Sequence, residues 1–183
     1  MAAVPPICDF GWKAIDFALE GVDGETHTLQ QLRGPKGTLV MFICNHCPYV
    51  KSVIGRIAQE ATALQALGIG VIAINANDPE DYPDDSFDNM KEFSVRHGLT
   101  FPYVVDRTQA VARAYGAVCT PDFFGFNQDL ELQYRGRLDE SKTSLVEGAR
   151  RELHEAMIQI AETARGPDEQ IASMGCSIKW RAA

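Results

Sequence analysis

The chain has 183 residues, 45% of them apolar and 23% charged, with a formal charge of −8 and a pI of about 5.0. That is an ordinary globular composition; the acidity excludes a general electrostatic footprint for nucleic acid, and no apolar run reaches the length of a membrane span. Five cysteines, Cys8, Cys44, Cys47, Cys119 and Cys176, are odd in number and too few for a disulfide-stapled scaffold. In a reducing compartment such a set points to redox, metal-binding or buried thiols. The start, Met1 to Cys8, has neither a basic nor a long apolar region, so no signal peptide is expected and a cytoplasmic location follows.

In chain order, Asp16 to Leu32 reads as a hairpin turning at Val22-Asp23-Gly24. Thr38 to Ile43 is continuous and apolar and predicts a buried strand. Pro48 then suits the first turn of a helix, where its missing N–H costs nothing. Val50, Val53, Ile54, Ile57, Ala61 and Leu64 follow at helical spacing to about Leu67, and Gly68 and Gly70 end the helix. Val71 to Asn75 is a second buried strand, which makes a right-handed βαβ unit. Asp78 to Asp85, acidic with two prolines, reads as a loop, and Asp78 to Asp88 as a solvated face without the ligand spacing of a metal site.

Beyond it, Phe87 to His97 predicts a helix, Phe101 to Val105 a short strand and Gln109 to Tyr115 a short helix. Phe123 to Phe126 and Leu130 to Arg135 read as antiparallel strands around Asn127-Gln128-Asp129. Ser144 and Glu147 form a capping box, opening a helix with Leu145, Ala149, Leu153, Ala156, Met157 and Ile160 on one face. Arg165-Gly166-Pro167-Asp168 stops it, and Ile171 to Trp180 shows no clear period. The order predicts an α/β fold: a central mixed sheet flanked by helices on both faces, with an N-terminal hairpin extension. One domain over 1–183 is expected, with its core at about 11–164 and a tail at 165–183.

The chemistry concentrates at Cys44-Asn45-His46-Cys47-Pro48, a C-x-x-C between a strand end and a helix start. Two thiols so placed can form a reversible disulfide, and the positive end of the helix favours thiolate. Cys44, just before the helix, is read as the exposed attacking thiol; Cys47, in the first turn, as the more buried resolving thiol. His46 either tunes the pair as a partly charged imidazole or is a solvated surface residue. Structural zinc wants four ligands; with no second C-x-x-C, no metal is expected. Thr120-Pro121 is the second signal. It is either an ordinary loop proline or a cis X-Pro turn that faces the cysteines and holds an extended substrate strand.

Together these residues resemble the thioredoxin fold, and within it the peroxiredoxin-like family of alkyl hydroperoxide reductase and thiol-specific antioxidant type. The resemblance runs from about Gly11 to Arg137, with a similar tail at Ser173 to Trp180. It is carried by Gly11 to Leu19, by Asn45-His46-Cys47-Pro48-Tyr49-Val50 and by the approach Val111 to Pro121. It implies two mechanisms. Thioredoxin-like exchange maps the attacking cysteine onto Cys44. Peroxiredoxin-like chemistry maps the peroxide-reducing cysteine onto Cys47, with Cys44 in place of the usual threonine, Val40 in place of the usual proline, and Arg113, Arg135 and Arg137 as candidates for the pocket's arginine.

The reading preferred from the sequence is a thiol–disulfide oxidoreductase. Cys44, Cys47 and His46 would be catalytic, with Thr120, Pro121 and Pro48 at the substrate; the alternative is a thiol-dependent peroxidase acting on hydroperoxides. A metal-carrying thiol module is a third, less favoured reading. Cys119 and Cys176 are candidate additional thiols, set against a small buried hydrophobe and a packed tail. No cofactor is implied. The expected partners are a protein or small-molecule disulfide, or a hydroperoxide, and an upstream dithiol reductant, for a monomer or homodimer that binds neither nucleic acid nor membrane.

Overall fold

The computed structural model describes residues 1–182. A short N-terminal strand, Ala2–Ala3 (β1), precedes the hairpin of Ala18–Gly21 (β2) and Thr26–Thr28 (β3), whose turn includes the expected Val22-Asp23-Gly24. Thr28 caps a single helical turn, Leu29–Leu32 (α1), through a reciprocal capping box with Gln31, so the end of the predicted hairpin is helical. Then follow Thr38–Phe42 (β4), Pro48–Ala66 (α2), Gly70–Asn75 (β5), Phe87–His97 (α3), Tyr103–Val105 (β6) and Ala110–Tyr115 (α4). Cys119–Thr120 (β7), Asp122–Phe126 (β8), Leu132–Tyr134 (β9), Glu152–Thr163 (α5) and Gly175–Ser177 (β10) complete the chain. Among the described residues no helix is long and apolar enough to cross a membrane.

The seven-stranded sheet has the order β3-β2-β6-β5-β4-β8-β9. The pairs β4/β5 and β5/β6 are parallel and the others antiparallel, which is the mixed sheet expected. Strands β4, β5 and β8 lie at its centre, and β4 and β8 are buried at every position. Side chains therefore alternate between two apolar layers. On one face Leu39, Met41, Val71, Ala73 and Phe123 pack against α2, α3 and α5. On the other, Val40, Phe42, Ile72, Ile74 and Phe124 pack against Leu29 of α1 and against Ala112 and Tyr115 of α4. Val50, Val53, Ile54, Ile57, Ala61 and Leu64 are the buried stripe of α2, as their spacing predicted. Each large aliphatic side chain so enclosed contributes roughly 1.5–3 kcal/mol.

Two expectations are corrected. The capping box at Ser144 and Glu147 does not start a helix; α5 begins at Glu152, after Arg151. The preceding loop is instead wrapped around Arg56. That guanidinium pairs with the buried Asp139 and donates to the Val146 carbonyl, while Ser141 accepts from the Val146 N–H. These long-range bonds take the backbone groups that a helical turn would have used, and Leu145 stays exposed. The tail is not periodless either. β10 pairs with β1 and with β7, forming a second, three-stranded sheet over the Thr120-Pro121 loop.

The start of β5 is locked by backbone contact. A Cβ added at Gly70 would lie 2.0 Å from the Leu32 carbonyl oxygen, and one at Gly34 would lie 2.2 Å from the Gly70 nitrogen. Glycine is required there by close approach of two chain segments. Gly70→Ala is expected to lower unfolding stability by roughly 2–3 kcal/mol, read as a shifted urea midpoint. An unchanged midpoint would contradict this packing.

Candidate functional site

The C-x-x-C loop lies between the end of β4 and the start of α2, with Cys47 as the residue that precedes the first helical position and Pro48 at that position. Its shape is set by Asn45, which the spacing of the motif does not single out. The Asn45 N–H donates to Asp85 Oδ1 (2.7 Å), its side-chain amide donates to the Asp84 carbonyl (2.9 Å), and its Oδ1 accepts from the Tyr103 hydroxyl (2.9 Å). All three residues that define this anchor, Asn45, Asp85 and Tyr103, are buried. The loop is thus fastened to β6 and to the acidic segment after β5.

That segment was expected to be solvated, and at Asp85 this is corrected. Asp85 ends a 3-10 turn, Pro83–Asp85, and its carboxylate accepts from the Asn45 N–H, from Asn77 Nδ2 (2.8 Å) and from His46 Nδ1 (2.5 Å). Burial pushes its pKa up, but the hydrogen bonds from His46, Asn77 and Asn45 outweigh this and hold it below the usual carboxylate value. His46 is correspondingly raised, first by the Asp85 hydrogen bond. Its ring stacks on Tyr82 with centroids 5.3 Å apart. His46 is therefore held in one orientation, against the reading of a free surface side chain. The only sequence hint of Asp85 was a prolyl turn just before the Ser86 cap of α3.

Cys44 was expected to be the exposed thiol. This is corrected: Cys44 and Cys47 are both enclosed, and Cys44 is the deeper. Both belong to the apolar cluster between the sheet and α2, and Cys176 of the tail packs against it. Cys44 Sγ lies 3.1 Å from Thr120 Oγ1, and Cys47 Sγ 3.1 Å from the Thr120 carbonyl oxygen. The Thr120-Pro121 bond is cis, the sharper of the two sequence readings.

The two thiols are electrostatically unlike. Cys47 is pulled down to about 5, first by a hydrogen bond from the Cys44 thiol; burial opposes this, and bonds from the Cys176 thiol and backbone N–H and from the Val50 N–H add to it. Cys44 is pushed well above the ordinary value, first by the bond it donates to Cys47, then by burial and the nearby Asp85 charge. One contact works the other way: the Thr120 carbonyl beside Cys47 favours its neutral, donating form. These four donors and the start of a long helix outweigh that single acceptor. The electrostatics thus favour the thiolate at Cys47 over Cys44.

The other predicted residues divide. Thr120 and Pro121 are at the cysteines but buried, because Ser173 Oγ donates to the Pro121 carbonyl (2.7 Å) and Cys176 sits opposite Thr120 in the β7/β10 register. Pro48 is exposed at the rim. Cys176 is half-buried and packs against the cluster that contains Cys47. Cys119 is buried and points its thiol at the Pro121 carbonyl (3.6 Å), and burial raises its pKa. Cys8, also raised by burial, lies among Asp9, Arg135 and Gln170.

The three arginines are engaged elsewhere: Arg113 over the Trp180 ring, Arg135 with the buried Asp122, and Arg137 with Glu152. A cavity of about 170 Å³ reaches Pro121 between Tyr49, Val53, Phe123, Arg137 and Ser173. As for metals, donor atoms of Cys44, His46 and Asp85 lie within 4.8 Å of one another. Both Asp85 oxygens already accept hydrogen bonds, which accounts for the cluster without an ion.

Comparison with known proteins gives this geometry a setting. The AhpC/TSA family profile matches residues 10–135. A curated relative, thiol-disulfide oxidoreductase ResA of Halalkalibacterium halodurans, is 31% identical over 122 residues, which is 67% of this chain and 65% of the relative. The chain thus spans just under two thirds of the length of that relative. A crystal structure of an uncharacterized conserved protein from Geobacillus kaustophilus is 40% identical with a TM-score of 0.94, covering 100% of this chain and 98% of that one. A thiol:disulfide interchange protein of the thioredoxin family from Chlorobium tepidum superposes with a TM-score of 0.61 at 18% identity, covering 81% of this chain and 94% of that one. The fold is thioredoxin-like.

The His46–Asp85 bond predicts a titration. With Asp85 present the imidazole holds its proton above the usual pKa. Asp85→Asn is expected to move the His46 midpoint downward, followed by NMR of the ring protons. A midpoint that stays raised would contradict the assignment.

Proposed function

The chain belongs to the AhpC/TSA family, and from that premise we propose that it is a thiol–disulfide oxidoreductase whose Cys44-Asn45-His46-Cys47 loop reduces or exchanges disulfides. The observation that carries this reading is the placement of two enclosed thiols of opposite electrostatic bias against Thr120 of the Thr120-Pro121 turn, Cys44 at its hydroxyl and Cys47 at its carbonyl. The sequence-based roles are exchanged. Cys47, the thiolate, attacks one sulfur of a substrate disulfide and forms a mixed disulfide, and the other half leaves as thiolate. Cys44 supplies the proton that the leaving group takes.

Cys44 is then ready to act. Its ionisation was opposed partly by the charge on Cys47. Once Cys47 is in a neutral disulfide, that opposition is gone. The Cys44 thiolate attacks the Cys47 sulfur, closes the Cys44–Cys47 disulfide and releases the second half of the substrate. His46, fixed by Asp85, holds a partial positive charge close to Cys44 while this happens. An upstream dithiol restores the reduced pair, and no cofactor is called for.

Peroxide reduction has less support. It asks for an arginine over the attacking sulfur, and Arg113, Arg135 and Arg137 are occupied with Trp180, Asp122 and Glu152. The name of the ResA relative favours the exchange reading. We place this chemistry in a reducing compartment, the cytoplasm. The substrates are protein or small-molecule disulfides, and the chain acts as a monomer or homodimer without nucleic acid or membrane.

Reduction of a small aromatic disulfide in excess dithiol tests the roles. Cys47→Ser is expected to drop the rate to the uncatalysed background, whereas Cys44→Ser keeps the first stoichiometric release of thiol. Full activity in Cys47→Ser would overturn the proposal.

A further inference from the structure

The tail places a third sulfur against the pair. β10 runs antiparallel to β7 with Cys176 opposite Thr120 and Ser177 opposite Cys119, and the Ile178 N–H donates to the Val118 carbonyl (3.1 Å). Thr120 is the residue whose hydroxyl meets Cys44 and whose carbonyl meets Cys47. A segment that pairs with Thr120 therefore carries its own residue directly over the reactive sulfurs. In this chain that residue is a cysteine. It packs against the apolar cluster that contains Cys47, and its thiol and backbone N–H help to lower the Cys47 pKa.

This placement is held from both sides. A Cβ at Gly175 would lie 2.0 Å from the Thr120 carbonyl oxygen, so the strand can approach this closely only with glycine there. Ser173 is tied to Pro121, Ile178 is buried, and the Lys179 N–H and carbonyl bond to Asn77 Oδ1 (2.9 Å) and to the Asp78 N–H (3.0 Å). The Arg181 N–H donates to Gln109 Oε1 (2.9 Å), and Gln109 Nε2 donates to the Lys179 carbonyl (2.8 Å). Cys176 itself is half-buried, not sealed. A fastened strand with one sulfur presented to a thiolate has the layout of a bound disulfide-exchange segment, supplied by the chain itself.

We propose that Cys176 is a third redox thiol, exchanging with the Cys44–Cys47 disulfide to give a Cys47–Cys176 disulfide. This rests on the exchange reading above. In the step, the Cys176 sulfur attacks Cys47 Sγ, the Cys44–Cys47 bond breaks, and Cys44 leaves and takes up the proton that Cys176 loses. No electrons are gained or lost, so no oxidant is needed beyond the substrate disulfide that made the first bond. The result moves the oxidised position from an enclosed pair to a strand at the surface, where an incoming dithiol meets it. It also gives the site a way to clear a mixed disulfide from Cys47 without Cys44.

Reduced protein is mixed with oxidised glutathione, quenched by acid and alkylation, and its disulfides are mapped by peptide mass spectrometry. In Cys44→Ser the expected product is a Cys47–Cys176 disulfide with both halves of the glutathione released. In the double variant Cys44→Ser, Cys176→Ser, glutathione is expected to stay on Cys47. Glutathione retained on Cys47 of Cys44→Ser with Cys176 freely alkylated would overturn the third-thiol role and leave the exchange reading standing. Failure of every form, wild type included, to react at Cys47 would overturn both. If Cys44→Ser does not fold, the wild-type map decides: a Cys47–Cys176 peptide beside Cys44–Cys47 is expected, and Cys44–Cys47 alone overturns the proposal.

Discussion

Holding a sulfur anion away from water is the constraint on which this structure turns. An ionised group in an apolar interior is costly unless hydrogen bonds replace its hydration. Here the replacement comes from Cys44, Cys176 and the start of α2, all converging on Cys47. Each requires a piece of the fold. The crossover from β4 to α2 positions Cys44 and Cys47. The long helix supplies its N-terminus, and the tail supplies Cys176. When Cys47 is neutral its proton has a resting place on the Thr120 carbonyl. The same sulfur thus has a partner set for each protonation state.

The asymmetry of the pair is what gives it a direction. Cys44 is kept protonated by the thiolate beside it and by Asp85. In the proposed mechanism it becomes a nucleophile only when Cys47 has reacted, so attack and resolution come in order without a separate switch. Asp85 serves a double purpose. It accepts from the Asn45 N–H and so shapes the loop, and it fixes His46, whose positive charge partly offsets the carboxylate in the same small space.

The fold was legible where periodicity is strong. Thr38 to Phe42, Val71 to Asn75 and the stripe of α2 are set by local pattern, and the structure returns them almost unchanged. Ser144 and Glu147 show the limit, since a correct local signature lost to the distant Arg56 and Asp139. The cysteines were found by spacing, but their roles were not. Cys44 looked exposed because it precedes a helix; its burial is decided by Thr120 and the apolar cluster around it, which are distant in sequence. Asp85 was hidden in an acidic loop for the same reason: its burial is decided by Asn45, Asn77 and His46, which are distant or unremarkable in sequence.

The ultraviolet absorbance of thiolate, followed against pH in the fully reduced protein and in Cys47→Ser, tests the central claim most directly. A depressed pKa means that the thiolate is present above the midpoint and lost as pH falls through it. The account predicts one thiolate that disappears on acidification near pH 5 in the wild type and is absent at neutral pH in Cys47→Ser. A signal that appears only near the ordinary thiol value, ~8.5, or that survives at neutral pH without Cys47, would contradict it.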